Sequence, residues 1–258
     1  RGSGHYVRHA GEAQSWQADT DLAVEKNAAN WLQRDLIDLA AGRVQRARVV
    51  PPSGAPIEIV RAAPGGAGDF ALANLPRGRE PASEFVADAT AGLLSGLRFE
   101  DVAKAGEAAP PASGTTRAEF VGNDGITVVL DSWVAQDKTW ARLRASLDEA
   151  AATKWVEQEQ AKAVREHEAA VAAAAKPAVA AEPEKTAEAA EAAAPAAAAP
   201  VAPLAVSDPA KDREQRLAAL RTEVETLNTR FADRSFVLPP FKATQLAKSL
   251  DDYLKPKA

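Results

Sequence analysis

The sequence predicts an α+β fold, with antiparallel hairpins and a meander, packed helices, and a helical C-terminal arm. Three patterns carry this reading. Runs that alternate apolar with polar residues flank turn chemistry at Pro51-Pro52-Ser53-Gly54 and at Asn123-Asp124-Gly125. Between them, Phe85, Val86, Ala89, Leu93, Leu94 and Leu97 return every three or four residues, as on one face of a helix. Near the end, Leu217, Leu220, Val224, Leu227 and Phe231 are spaced like the seam of a packed or coiled helix.

In chain order, His5-Tyr6-Val7-Arg8 and Ala13-Gln14-Ser15-Trp16-Gln17 flank His9-Ala10-Gly11-Glu12 as a first hairpin, with Trp16 its core anchor. Trp31, Leu32, Leu36, Ile37 and Leu39 predict one or two short helices over 27–40, stopped at Gly42. Arg43 to Val50 and Pro56 to Arg61 form a second hairpin, to which Phe70 and Leu72 add a third strand. Ser83 caps the helix that follows, and this helix should lie on the sheet. After a Gly, Pro and Ala-rich loop over 106–114, Arg117 to Val121, Ile126 to Ala135 and the run containing Trp140 and Leu143 complete a meander.

The chain therefore divides into a sheet domain over 1–150, a charged helix over 151–168, a spacer over 169–206 and a helix-strand-helix segment over 207–258. The spacer is about half Ala, interrupted by Pro177, Pro183, Pro195, Pro200 and Pro203, a composition that cannot bury a core. Beyond it, Leu217 to Phe231 supply an apolar stripe for their own domain or for a partner. Phe236 and Leu238 make a short strand, Pro239-Pro240 a break, and Phe241, Leu246, Leu250 and Leu254 one face of a last helix.

Composition narrows the function. The chain has 258 residues, 46% hydrophobic, with a formal charge of -5, and its basic residues never cluster densely enough to follow a nucleic-acid backbone. The absence of cysteine excludes disulfides, thiolate nucleophiles and Cys-based metal sites. The sequence contains no run of ~18 uncharged apolar residues of the kind that spans a bilayer. The first residue is Arg1 rather than Met, so either residues are expected upstream, where any anchor or signal would lie, or Arg1-Gly2-Ser3-Gly4 is an added N-terminal remnant.

Catalytic patterns are equally sparse. His5, His9 and His167 lack the carboxylate and spacing of a zinc site, and Gly92-Leu93-Leu94-Ser95-Gly96 does not have the spacing of a nucleophile elbow. Gly65-Gly66-Ala67-Gly68 opens into a strand-like run rather than into the helix a phosphate loop needs. Asp19, Asp21, Asp35 and Asp38 are the densest acidic group of the first domain, and Arg77-Gly78-Arg79-Glu80 is either an anion site or a turn with paired charges. No cofactor, metal or catalytic set is expected.

Several stretches nevertheless resemble the domain-of-unknown-function 4340 family, proteins often encoded beside ABC transporters of the gliding-motility type. They are Tyr6-Val7-Arg8, Gly11 to Trp16, Trp31 to Asp38, Phe70-Ala71-Leu72, Pro76 to Glu80, Leu97 to Val102 and Phe236 to Lys242. The resemblance implies an extracytoplasmic protein on the periplasmic side of the bacterial inner membrane, anchored by an N-terminal helix that this chain does not contain. It implies no catalytic residues. The expected function is a non-catalytic accessory or scaffolding subunit of an ABC transport system. Its partners would be the transporter's membrane subunits or other envelope proteins, met through sheet edges and through Leu217, Leu220, Val224, Leu227 and Phe231. The alternative is a module that binds an envelope lipid or glycan in an apolar groove lined by Trp16, Trp31 or Trp133. A weaker third possibility is carboxylate chemistry around Asp19 to Asp38.

Overall fold

The computed structural model describes residues 5–19, 31–62, 70–83, 85–174 and 201–256. Its centre is an eight-stranded antiparallel sheet. Strands β1 (His5–Val7) and β2 (Trp16–Ala18) form a separate hairpin, and β3 (Asp35–Ile37) pairs with β7 (Leu97–Arg98). The large sheet contains β4 (Val44–Val50), β5 (Ile57–Arg61), β6 (Phe70–Leu72), β8 (Asp101–Lys104), β9 (Thr116–Gly122), β10 (Ile126–Ala135), β11 (Lys138–Leu147) and β12 (Arg234–Val237). Their order is β6-β5-β4-β9-β10-β11-β12-β8. The α+β class is therefore the one the sequence predicts, and the second hairpin, the third strand and the meander fall where turn chemistry places them.

Period-two alternation explains the main core. Ala47 and Val49 on β4, Ala118 and Phe120 on β9, and Ile126, Val128 and Leu130 on β10 are all buried, and a register shift between Val44 and Arg46 lets Val44 join them out of step. Trp133 is out of phase with that series and points to the other face, directly opposite Trp140 in the β10–β11 register. There Trp133, Trp140 and Val237 form a second, smaller cluster with Ala103 and Ala108 packed against it. The Arg142 guanidinium holds the covering loop in place by donating to the carbonyls of Ala105 and Ala108 and to the Ser235 hydroxyl.

The Asn123-Asp124-Gly125 turn does more than reverse the chain. Gly125 has φ +85°, and a Cβ there would lie 2.6 Å from the Asp148 carbonyl and 2.8 Å from the Ala152 nitrogen. Only glycine lets the turn sit beneath the next helix. That helix, α2 (Glu149–Ala174), is capped by Asp148, whose Oδ1 accepts from the amides of Ala150 and Ala151. Ala152, Val156 and Gln160, four residues apart, are its buried positions.

After α3 (Leu204–Ser207), α4 (Pro209–Phe231) runs back along α2. Glu149 pairs with Arg221 and Glu157 with Arg213 along the seam. Gln160 donates to the Pro209 carbonyl and to Asp212. On its sheet side α4 lies along β11, where the Asn228 side chain bonds both the amide and the carbonyl of Ala145, each at 2.9 Å. Strand β12 pairs with only Trp140 and Ala141 of β11, so Asn228 completes that edge further along.

Several expectations are corrected. Residues 35–37 form a strand rather than part of a helix, because Leu36 and Ile37 both pack into the core while β3 pairs with β7; residues 27–30 lie outside the described set. The helix assigned to 83–97 is only α1 (Val86–Ala91), with Phe85 rather than Ser83 at its cap. Leu93, Leu94 and Leu97 are buried as expected, but from the turn and from β7. Trp16 is 45% and Trp31 70% exposed, so neither anchors the core.

The segment read as spacer meets ordered helix at both ends, because α2 continues to Ala174 and α3 begins at Leu204 with Ala205 buried. The C-terminal region is helical, as expected, but it is built into the body: β12 lies between β11 and β8, and α5 (Pro240–Leu246) follows at once. Phe241, expected on one helical face with Leu246, Leu250 and Leu254, is exposed, and Leu250 and Leu254 lie beyond the end of α5. The neighbouring Lys242 donates to the carbonyls of Gly92, Leu93 and Ser95, closing the end of α1, and burial holds its pKa below the ordinary lysine value.

Candidate functional site

The sheet, β3 and α4 leave a cleft of about 460 Å³ between them, within the ~300–1,000 Å³ that small-molecule sites occupy. Its floor is aromatic. Phe99, leaving β7, and Phe236 on β12 lie with ring centroids 5.3 Å apart, and Val102 stands opposite Phe236 in the β12–β8 register. Leu32 and Gln33, on the approach to β3, form one wall. Leu32 is 45% exposed, so apolar surface reaches the mouth of the cleft.

The rim is charged. Arg230 comes from the last turn of α4 and Arg234 from the first position of β12, with Asp233 at φ +53° turning the chain between them. Arg230 donates to the Leu36 carbonyl at 3.0 Å, tying α4 to β3. Neither arginine makes a carboxylate pair among the described residues. The remaining charge in the lining, Asp35, is engaged by Arg98 at 3.1 Å. Two guanidiniums on this rim can hold an anion through charge-assisted hydrogen bonds.

The five residues of the α4 stripe do not form an open face. Leu220, Leu227 and Phe231 are buried in the main core, with Leu217 and Val224 packed against it. The helix spends its apolar side on its own sheet, since exposure of so many large side chains would cost ~1.5–3 kcal/mol each. Leu220, Leu227 and Phe231 are thus committed to the chain's own core, while Leu217 and Val224 remain partly exposed.

The tryptophans of the expected groove are dispersed. Trp16 lies on the exposed β1–β2 hairpin with His9 edge-on at 6.0 Å. Trp31 stands exposed just before Leu32. Trp133 is buried against Trp140 and also lines a 220 Å³ pocket beside Ala243 and Leu246. Its Nε1 is buried without an acceptor among the described residues.

The acidic group does not converge either: Asp38 accepts from the Gly96 amide, Asp35 pairs with Arg98, Asp19 is exposed, and Asp21 lies outside the described residues. Gly65 to Gly68 also lies outside them. Arg79 donates to the Lys255 carbonyl and Glu80 pairs with Lys255, so the 77–80 turn fastens the C-terminal tail. Among the described residues no group of three or more His, Asp or Glu side chains could hold a metal, and no helix is long and apolar enough to cross a membrane.

Sequence reading missed Arg230 and Arg234 because they belong to different elements and share no helical or strand period. A partial signal existed. Three of the stretches that carry the family resemblance, Trp31 to Asp38, Leu97 to Val102 and Phe236 to Lys242, contribute walls or floor to this one cleft.

The fold and the cleft define an α+β domain with a built concave site. Residues 1–116 match the family model for the domain of unknown function DUF4340, which supports placing this N-terminal part in that domain family. The match runs from β1 to the first residue of β9. No curated protein and no solved structure matches the chain.

Proposed function

We propose that this chain is a non-catalytic, extracytoplasmic accessory subunit of a bacterial ABC transport system, and that it acts by binding an envelope molecule in the Phe99–Phe236 cleft. The observation that carries the binding role is the cleft itself: a 460 Å³ concavity with an aromatic floor and two arginines that lack a carboxylate partner among the described residues. The match of residues 1–116 to DUF4340 supports the family placement, and the transport role follows from the family resemblance. Burial of the α4 stripe favours the cleft over that helix as the working surface.

The test is direct. The purified chain is equilibrated with an organic extract of bacterial envelopes, re-isolated and denatured, and the released small molecules are identified by mass spectrometry. A molecule retained near one per chain by the wild type, and lost when Val102→Phe fills the cleft, is the expected result. In parallel, full-length protein is captured from detergent-solubilised envelopes. Recovery of ABC transporter membrane subunits is expected, and their absence while other envelope proteins are captured would sink the transport assignment. Recovery of those subunits with no retained molecule would point to the purely scaffolding role.

A further inference from the structure

We infer that the cleft is selective for an anionic amphiphile, a carboxylate or phosphate head on an apolar chain; this rests on the binding reading above. The two halves of such a ligand match the two halves of the site. Phe99, Phe236, Val102 and Leu32 line the cleft together, and Leu32 carries apolar surface to its mouth, so a purely ionic ligand would leave that lining uncovered. Arg230 and Arg234 sit at one side of it, and the lining carboxylate that could have neutralised them, Asp35, is paired with Arg98 instead.

Arg230 is also held in place by the backbone of β3, so its guanidinium is positioned before any ligand arrives. Arg234 makes no ion pair or side-chain hydrogen bond among the described residues and can turn its donors to an incoming head group. A neutral glycan would leave both guanidiniums without a counter-charge. A bare inorganic anion would leave the aromatic floor uncovered.

Isothermal titration of the intact chain tests this with four probes at concentrations below their micelle-forming range: dodecanoate, dodecyl phosphate, dodecyl maltoside and inorganic phosphate. The two dodecyl anions are expected to bind, about tenfold more tightly than dodecyl maltoside, the advantage of a charge-assisted hydrogen bond. Arg234→Gln should narrow that difference severalfold, Arg230 still facing the head group, with the circular dichroism spectrum of the wild type. Higher salt should weaken only the anions.

Equal binding of anion and maltoside, or indifference to Arg234→Gln, would overturn the selectivity while the binding function stood. Inorganic phosphate binding as tightly as dodecyl phosphate would remove the apolar arm. If no dodecyl probe binds but the envelope extract yields a different retained molecule, the inference fails alone; if nothing is retained either, the binding role in the proposed function fails with it.

Discussion

Arg43 joins three elements through one side chain. Its guanidinium donates to Asp124 at 2.8 and 2.6 Å and to Glu223 at 2.8 and 3.1 Å, linking the start of β4, the β9–β10 turn and α4. Burial opposes its charge, but the hydrogen bonds to Glu223 and Asp124 outweigh that and hold its pKa above the ordinary arginine value. Asp124 is only 2% exposed, so removing the arginine leaves a buried carboxylate with too few donors. Arg43→Met should cost about 3 kcal/mol, the lower end of the usual range because the arginine itself is a third exposed, read as a lower urea midpoint at unchanged slope. A loss under ~1 kcal/mol would mean that the Ile126 amide alone satisfies Asp124.

Four surface carboxylates contribute to the acid limb of stability. Hydrogen bonds hold four of them below their ordinary values of 4.5 for Glu and 3.8 for Asp: Lys255 on Glu80, Lys138 on Asp101, Arg221 on Glu149, and the Ser249 amide on Asp252. The folded state therefore releases these protons more readily than the unfolded one, so their contribution is complete above the ordinary values and is lost as pH falls through the lowered ones. Urea midpoints should stay level from neutral pH to about 5 and decline below that. Lys138→Met should remove the share that belongs to Asp101, and a midpoint that rises on acidification would contradict the assignment.

At the level of elements, α4 decides whether the C-terminal region is arm or core. Leu220 and Leu227 sit seven residues apart on the buried side, and large-to-small changes at such sites cost ~2–5 kcal/mol each before any charge is introduced. Leu220→Glu with Leu227→Glu should therefore abolish cooperative unfolding of the isolated chain. A soluble double variant with the wild-type melting profile would return the stripe to an outward role. The stripe's spacing was legible because a helix repeats locally. What it packed against was not, because the same pattern serves a sheet, a second helix or another subunit equally well. Residues 35–39 failed for a related reason: a short apolar run has the same spacing in a buried strand and in a helical turn, and only pairing with Leu97–Arg98 separates the two.

Across the whole molecule, the C-terminal strand is an interior strand. β12 lies between β11 and β8, with the Phe236 backbone paired to Val102 on one side and Ala141 on the other. Truncation after residue 200 should thus leave no cooperatively folded sheet domain, even though the missing part lies beyond the DUF4340 match. Replacing residues 175–200 with a short Gly/Ser linker should instead shift stability by less than ~1 kcal/mol, since loop closure changes by only about 0.6 kcal/mol per doubling of length. Circular dichroism melts of the two variants check both statements; a linker variant that no longer melts cooperatively would show that 175–200 contributes to the core. The amino-acid sequence by itself determined the β4–β5 hairpin, the β9–β10–β11 meander and the α4 stripe, because turn chemistry and side-chain period act between near neighbours. Only the tertiary structure decided that β12 enters the sheet, that Trp133 is buried while Trp31 is exposed, and that Phe99, Phe236, Arg230 and Arg234 share a cleft. Those outcomes depend on pairing and burial between segments far apart in the chain, where no local period carries the information.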